Sequence, residues 1–229
     1  MNIHNYDIFI FDSDGVILNS NKIKIDAFCE IGKLLLKVDC KNSINQFISN
    51  NSKSSREDIL RFLIKEYEKI SFCLLKDNDK NSLLKKLLKN YDFLTKSKLM
   101  NCERSNELSK LRYFCRNIPW ILLTLGDEKS TKYIYDKRNL TQFFDLGIFG
   151  GPIDKHNNIK IIKEKINFND KRIVFFGDTI NDAKLAKINN FEFIFLSDWS
   201  YCPKVREFCR QNNYIEYANL DFFISSLIQ

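Results

Sequence analysis

The stretch YDIFIFDSDG, residues 6–15, decides the fold of this chain. Its first six residues form a short run of β-branched and aromatic side chains, which is typical of a fully buried strand. The run ends abruptly at Asp12, and Asp14 follows two residues later. The sequence therefore predicts a buried strand that carries carboxylates at its C-terminal end.

Three later runs are similar to this strand, and helical patterns lie between them. The runs are residues 120–124 (WILLT), 173–176 (IVFF, followed by Gly177 and Asp178) and 191–196 (FEFIFL). The helical patterns are residues 128–138, 155–166 and 180–188. Strands that alternate with helices in this way are typical of a parallel sheet in an α/β fold.

A long interruption separates the first strand from the second. From about residue 19 to about residue 101, the chain has no convincing buried strand, and its apolar residues recur at helical spacing. Polar stretches at residues 41–43, 50–55 and 77–82 are predicted to be joints between helices. We therefore expect an all-helical insert after the first strand.

Length and composition exclude several classes of protein. The chain has 229 residues, which corresponds to about 1.5 typical domains and favours a core with a smaller insert. With 44% hydrophobic and 28% charged residues, it differs from disordered and low-complexity chains. We find neither a membrane-spanning apolar stretch nor a signal peptide, so we expect a cytoplasmic protein with no membrane partner.

The net charge of +7 comes from lysines that are scattered along the whole chain. Nucleic-acid binding proteins usually gather their positive charge in a patch or stripe, so no nucleic-acid partner is expected. A mild positive field would still help a small anionic substrate to approach.

Cysteine and histidine usage disfavours two further kinds of site. The seven cysteines contain no CxxC pair, and the two histidines, His4 and His156, have no cysteine nearby at zinc-finger spacing. The cysteines are interpreted as reduced thiols that lie mostly in the core. With two histidines in the chain, hydrolysis by a Ser-His-Asp or Cys-His arrangement is improbable.

Polar groups follow or abut four predicted strand ends, where open α/β sheets bind their ligands, and one of these ends is at Phe149, before the loop that contains Lys155. These groups are Asp12, Asp14, Thr124, Lys155, Asp178 and Asp182. Carboxylates are hard oxygen ligands for Mg²⁺, while a hydroxyl and a lysine can hold phosphoryl oxygens. An aspartate can also act as a nucleophile, and a second carboxylate can act as general acid and base.

Four segments resemble, in order, the four motifs of the haloacid dehalogenase-like (HAD) hydrolase superfamily. They are FDSDGVILNS (residues 11–20), the strand that ends in Thr124, FGGPIDKHNNIK (residues 149–160) and GDTINDAKLA (residues 177–186). Within this superfamily, the sequence most resembles the phosphoglycolate phosphatase-like subgroup, whose members have a helical cap inserted after the first motif. This resemblance implies a Rossmann-like, doubly wound parallel sheet core (residues 1–18 and 100–229) and an all-helical cap (residues 19–99).

The resemblance also implies a role for each motif residue. Asp12 would be the nucleophile and Asp14 the general acid and base. Thr124 and Lys155 would hold the transferring phosphoryl group. Mg²⁺ would be bound by Asp12, the main-chain carbonyl of Asp14 and Asp178, with Asp182 as a further or water-bridged ligand.

Several of these residues also have a simpler structural interpretation. Thr124 could simply end a strand, since Leu125 and Gly126 depart from the motif that usually follows it. Asp182 could interact with the dipole at the start of a helix. In the insert, Lys24 and Arg56 are cationic candidates for substrate selection, but both are also typical of a solvated helix face.

The sequence therefore favours a Mg²⁺-dependent phosphatase that hydrolyses a small phosphate monoester through an aspartyl-phosphate. Some members of the subgroup accompany surface-polysaccharide genes. The resemblance to them favours a sugar, polyol or amino-alcohol phosphate, such as serinol or ethanolamine phosphate, as the substrate. The alternatives are a phosphomutase of the same superfamily and a non-catalytic module that binds a phosphorylated metabolite. Dehalogenases that resemble this family lack the second aspartate, whereas Asp14 is present. We expect a monomer or a homodimer.

Overall fold

In a computed structural model that describes residues 3–51, 54–201 and 204–227, the aromatic run before Asp12 forms a central strand of a parallel sheet. The strands in these residues are β1 (Ile8–Phe11), β2 (Trp120–Asp127), β3 (Ile148–Gly151), β4 (Ile173–Gly177), β5 (Glu192–Leu196) and β6 (Ile215–Tyr217). Their spatial order is β3-β2-β1-β4-β5-β6, and every adjacent pair is parallel. This is the order of a Rossmann-like sheet, as predicted.

The chain divides into two compact units. The sheet unit comprises the residues up to Asn21 and those from Cys102 onward, and the helical unit comprises Lys22–Asn101. Around the strands of the sheet unit lie α5 (Leu108–Phe114), α6 (Glu128–Lys137), α7 (Lys155–Lys165), α8 (Ile180–Ile188), α9 (Lys204–Gln211) and α10 (Leu220–Ser226). The helical unit contains α2 (Lys41–Asn50), α3 (Arg56–Ser71), α4 (Asp77–Asn101) and most of α1 (Asn21–Leu36).

Aromatic side chains hold the middle of the sheet in register. Phe11 of β1 stacks on Phe176 of β4 with ring centroids 4.7 Å apart, and the two residues are register partners. On the other side of β1, Phe11 contacts Trp120 of β2 with centroids 4.9 Å apart. Because all three side chains are fully buried, these contacts hold β1, β2 and β4 together in the middle of the sheet.

The helical unit has a hydrophobic core of its own. Phe28 of α1 stacks on Tyr91 of α4 with ring centroids 4.5 Å apart, and Ile44, Leu60 and Leu63 are fully buried in the same cluster. The unit therefore buries apolar faces from all four of its helices. Within the described residues, no helix combines the length and the apolar character that crossing a membrane requires.

The predicted joints at residues 41–43 and 77–82 are wrong, because these residues form the first turns of α2 and α4. Polar side chains suit a first turn that faces solvent, and Asp77 and Asp79 also interact favourably with the positive end of a helix dipole. The third joint, residues 50–55, lies partly outside the described residues, and α3 begins directly after it. There Ser55 and Asp58 form a reciprocal capping box.

Candidate active site

The sheet brings two aspartates together because β1 and β4 are neighbours. Phe11 pairs with Phe176, and the backbone N–H of Asp12 donates a 2.9 Å hydrogen bond to the carbonyl of Phe176. Asp178 follows β4 directly, so its carboxylate lies at the C-terminal ends of the strands, as that of Asp12 does. Both side chains are buried, with 5% of Asp12 and 1% of Asp178 exposed.

Gly15 allows the turn after β1 to pass close to Asp178. Its φ angle is +78°, and a Cβ atom at this position would lie 2.2 Å from Asp178 Oδ2. The Gly15 N–H donates to the carbonyl of Leu18 over 2.8 Å, which closes the turn. Within this turn, the Ser20 hydroxyl donates a 2.5 Å hydrogen bond to Asp14 Oδ1. The turn therefore orients the side chain of Asp14.

Lys155 connects two of the carboxylates. It is the first residue of α7, and its Nζ lies 2.8 Å from Asp12 Oδ2 and 2.7 Å from Asp182 Oδ1. Burial lowers the pKa of the ammonium, but the charges of Asp12 and Asp182 outweigh this effect and raise the pKa above its ordinary value. Lys155 is therefore a permanent cation inside the site.

Asp182 has a partner for each of its oxygens. Oδ1 accepts the bond from Lys155, while Oδ2 accepts from the hydroxyl of Thr179 over 2.5 Å and from its N–H over 3.2 Å. The Asp182 N–H in turn donates to the Thr179 hydroxyl, so the two residues form the capping box of α8. The carboxylate thus stabilises the start of a helix and holds Lys155 in place.

Asp178 has an oxygen without a hydrogen-bond partner. Its Oδ2 accepts a 2.7 Å hydrogen bond from the side-chain amide of Asn21, whereas no described group donates to its buried Oδ1. Burial, together with the nearby charges of Asp12 and Asp182, raises the pKa of this carboxyl well above its ordinary value. An unpaired carboxylate oxygen in a buried position is costly unless a cation or a proton occupies it.

These carboxylates fit a divalent metal ion. One oxygen from each of Asp12, Asp178 and Asp182 lies within 4.8 Å of the others. If all three carboxyls were ionised, they would face the ammonium of Lys155, and two negative charges in this group would lack a counter-charge. Burial and the neighbouring carboxylates raise the pKa of Asp12 to about 7 even though Lys155 opposes the shift. A hard divalent cation would supply the charge and would occupy Asp178 Oδ1.

A sequence profile described as haloacid dehalogenase-like hydrolase matches residues 6–188 of the chain. This match covers well over half of the sequence and includes Asp12, Lys155 and Asp178. The chain belongs to the haloacid dehalogenase-like hydrolase family. Comparison with curated proteins gave no match.

Solved structures share the fold of this HAD-like hydrolase along its whole length. A predicted phosphoglycolate phosphatase from Haemophilus somnus has a TM-score of 0.75 at 18% identity, with 100% of both chains covered. A HAD hydrolase of family IA, variant 3, from Entamoeba histolytica has a TM-score of 0.70 at 17% identity, covering 97% of this chain and 100% of the other. A β-phosphoglucomutase candidate from Thermotoga maritima has a TM-score of 0.67 at 15% identity, covering 97% and 98%. At these identities the similarity establishes the fold.

The structure of this HAD-like hydrolase brings Asp12, Lys155, Asp178 and Asp182 into one buried group. Thr124 is fully buried in β2, two residues beyond Leu122, which is the register partner of Phe11. It therefore lies near the same edge of the sheet, and its hydroxyl accepts a 3.0 Å hydrogen bond from the N–H of Gly126. A role in binding phosphate stays a prediction for this residue.

The two cationic candidates lie in the helical unit. Lys24 is half-buried on α1. Arg56 is the first residue of α3, and its guanidinium forms a 2.7 Å ion pair with Asp92 of α4. This pair gives Arg56 a structural use inside the helical unit, and substrate selection by Lys24 or Arg56 stays a prediction.

Four polar residues of the site were not predicted from the sequence. Ser20 contacts Asp14 and Asn21 contacts Asp178, and their place at the end of the first motif and directly after it is a signal that could have pointed to them. The hydroxyl of Tyr135 lies 2.8 Å from that of Ser13, and the hydroxyl of Ser200 donates to the main-chain carbonyl of Asp178 over 2.7 Å. Tyr135 and Ser200 are 122 and 22 residues distant from their partners, so no local pattern identifies them.

Proposed function

We propose that this HAD-like hydrolase is a Mg²⁺-dependent phosphatase that hydrolyses a small phosphate monoester. The observation that carries the proposal is the buried group of three carboxylates and one lysine in which Asp178 Oδ1 has no hydrogen-bond donor among the described residues. A phosphoryl group brings anionic oxygens that the Lys155 ammonium can neutralise. Mg²⁺ held by Asp12, Asp178 and the main-chain carbonyl of Asp14 would neutralise further charge on these oxygens.

Asp12 is the nucleophile in this proposal. Its carboxylate oxygen forms a bond to phosphorus while the bond from phosphorus to the ester oxygen breaks, which leaves an aspartyl-phosphate and an alcohol. Asp14, oriented by Ser20, donates a proton to the departing alkoxide. Asp14 then removes a proton from the water that attacks phosphorus. The bond from phosphorus to the Asp12 oxygen breaks, inorganic phosphate leaves, and the free carboxylate is restored.

Lys155 and Asp182 support this chemistry in different ways. Lys155 contacts Asp12 directly and remains charged, so it favours the ionised, nucleophilic form of that carboxylate. Asp182 holds Lys155 through a 2.7 Å ion pair and is itself fixed by Thr179. We propose that Asp182 bridges to the metal through water, because both of its oxygens already have protein partners.

The substrate is proposed to be a sugar, polyol or amino-alcohol phosphate, and the helical unit is proposed to be the cap that selects it. Lys24 and Arg56 are the cations of that unit that we assign to selection. A cytoplasmic location and a connection with surface polysaccharides belong to the same proposal and rest on the resemblance to members of that kind.

Phosphate release from a panel of monoesters tests the proposed function. We expect turnover with Mg²⁺, loss of turnover in EDTA and recovery when Mg²⁺ is restored. Asp12→Asn should abolish turnover, whereas the matched exposed variant Asp170→Asn should retain it. Asp170 has a positive φ of 57°, a conformation that asparagine also adopts readily. Undiminished turnover in chelator or in Asp12→Asn would overturn the proposal.

The same panel separates the alternative activities. A hexose 1-phosphate that is converted to the 6-phosphate without net release of phosphate would identify a phosphomutase. Binding of a phosphorylated metabolite without turnover of any panel member would identify a non-catalytic module.

A further inference from the structure

Asn21 connects two segments of the sheet unit through one side-chain amide. Its Nδ2 donates a 2.7 Å hydrogen bond to Asp178 Oδ2 and a 2.9 Å hydrogen bond to the main-chain carbonyl of Trp199. Asp178 follows β4, whereas Trp199 lies in the loop after β5. Both N–H groups of the amide are therefore used, and the side chain has one orientation that satisfies both acceptors.

The loop after β5 is attached to Asp178 a second time. The hydroxyl of Ser200 donates a 2.7 Å hydrogen bond to the main-chain carbonyl of Asp178. Asp178 is consequently held at its backbone by Ser200 and at its carboxylate by Asn21. Gly15 leaves the space for this arrangement, since a Cβ there would lie 2.6 Å from Asn21 Nδ2 and 2.2 Å from Asp178 Oδ2.

The hydrogen bond from Asn21 makes the two oxygens of Asp178 different. Oδ2 is engaged, while Oδ1 is buried and has no donor among the described groups. A partial rotation of the carboxylate about its Cβ–Cγ bond would break the contact with Asn21, which is unfavourable for a buried group, and a half-turn would only exchange two equivalent oxygens. The contact therefore fixes the plane of the carboxylate and leaves one oxygen, Oδ1 in this structure, for another ligand.

We propose that Asn21 is the positioning residue of the metal ligand Asp178, and that it holds Oδ2 so that Oδ1 binds the cation as a single donor. The inference rests on the proposed function, because it takes Asp178 as a metal ligand. A neutral amide suits this position: it donates a hydrogen bond without placing a positive charge next to the metal. Partners that orient metal ligands in this way typically change metal affinity about 10-fold to 100-fold when they are removed.

Metal binding to the full chain without substrate tests the inference. We would measure Mn²⁺ affinity from the electron paramagnetic resonance signal of free Mn²⁺, and Mg²⁺ affinity by titration calorimetry. Asn21→Ala removes the donor, and Asn21→Leu removes it at similar volume. Asn19→Ala and Asn19→Leu are matched controls, because Asn19 lies two residues earlier and bonds to the exposed Glu103 over 2.9 Å.

We expect both Asn21 variants to weaken Mn²⁺ and Mg²⁺ binding about 10-fold to 100-fold, and both Asn19 variants to stay within about twofold of the parent chain. In turnover assays, the Mg²⁺ concentration for half-maximal rate should rise in Asn21→Ala, while the rate at saturating Mg²⁺ should change much less. A role limited to folding would lower the unfolding temperature without moving the metal affinity of the folded protein. Should Asn21→Leu fail to fold, Asn21→Ala decides the question.

Asp178→Asn, measured in parallel, distinguishes an error in the proposed metal site from an error in the role assigned to Asn21. If Asp178→Asn binds Mn²⁺ as the parent chain does, the proposed metal site itself is wrong. If Asp178→Asn loses Mn²⁺ while Asn21→Ala keeps the parent affinity, the inference about Asn21 is overturned and the proposed function stands.

Discussion

The protonation of Asp12 depends on its burial, on the adjacent Lys155 and on the neighbouring carboxylates. Burial and the charges of Asp182 and Asp14 raise its pKa to about 7, although Lys155 pulls it down. Near neutral pH, the carboxyl of the metal-free protein is therefore partly protonated and is a poor nucleophile. A divalent cation would favour the ionised form, so metal binding and activation of Asp12 are expected to occur together.

The metal-free protein should lose stability as the pH rises. Asp12 has a pKa of about 7 in the folded chain and an ordinary value of 3.8, so the folded state binds more protons than the unfolded state between these limits. The free energy of unfolding in EDTA should fall from about pH 4 to about pH 7 and then level off. Urea unfolding across this range, with and without Mg²⁺, checks the prediction.

Added Mg²⁺ should remove most of that loss above pH 7, since the cation compensates the ionised carboxylates. Asp178→Asn should flatten the pH profile in EDTA, because one of the interacting charges is gone. A profile that rises with pH in the metal-free protein would contradict the buried, mutually repelling carboxylates.

Asp14→Asn tests the acid and base role separately from the nucleophile. Alkyl phosphates need a proton on the leaving oxygen and should be slowed about 10² to 10⁴-fold. Activated aryl phosphates have leaving groups that hardly need the proton, so the rate at which their phenol is released should fall much less. A plot of the rate of alcohol release in the first turnover, before dephosphorylation limits the rate, against the pKa of the leaving alcohol measures the difference. An equal loss for both ester types, without a phosphorylated chain, would mean that Asp14 only shapes the metal site.

At the scale of the element, the segment from the end of β1 to the start of α1 contributes several residues of the site. Asp12, Asp14, Ser20 and Asn21 all come from it. Asp12 contacts Lys155, Asn21 contacts Asp178, and Ser20 orients Asp14 within the segment. The turn can pass beside Asp178 because Gly15 has a positive φ and no side chain. Local backbone geometry is thus as important to the site as the charged groups.

Gly15→Ala should reduce turnover by about 10²-fold or more, because a displacement of catalytic groups by about 1 Å has an effect of this size. The added Cβ would lie 2.2 Å from Asp178 Oδ2. Gly147→Ala is the matched control, since Gly147 also has a positive φ, of +104°, but its nearest contact would be an ordinary 3.4 Å to Phe149.

Both variants carry backbone strain of about 1–3 kcal/mol, so chemical unfolding should show comparable destabilisation from this source. The steady-state rate should separate them, with Gly147→Ala close to the parent chain. Equal activity in the two variants would show that the close approach at Gly15 is unimportant for catalysis.

At the scale of the whole molecule, the sequence predicted the four most buried strands and the helical insert, because long apolar runs and helical periodicity carry strong signals. It placed a strand end at Phe149 without identifying the strand run of β3, and it did not predict β6. β3 has four residues, two of them glycines, and β6 has three residues and is mostly exposed. Both strands lie at an edge of the sheet, where a partner on one side stabilises a segment that has little strand pattern of its own.

The site residues likewise divide into those that a local sequence pattern identifies and those that tertiary packing brings together. Asp12 and Asp178 could be placed together because both directly follow buried strands, and the C-terminal ends of parallel strands lie on the same side of a sheet. The contacts of Asn21 with Asp178 and of Ser200 with the Asp178 carbonyl could not be predicted, since they depend on how the loops fold over the C-terminal ends of the strands. The ion pair of Lys155 with Asp182 likewise depends on the packing of α7 beside α8, which no local pattern encodes.

The transfer of a phosphoryl group to Asp12 is the central claim, and mass spectrometry of the Asp14→Asn variant tests it most directly. This variant lacks the base for the second step, so incubation with an aryl phosphate and Mg²⁺ should let the phosphorylated chain accumulate. The account predicts an added mass of one phosphoryl group, located on the peptide that contains Asp12 and lost in the Asp12→Asn, Asp14→Asn double variant. A phosphoryl group on another residue, or turnover of the aryl ester by the double variant at the rate of Asp14→Asn, would contradict it.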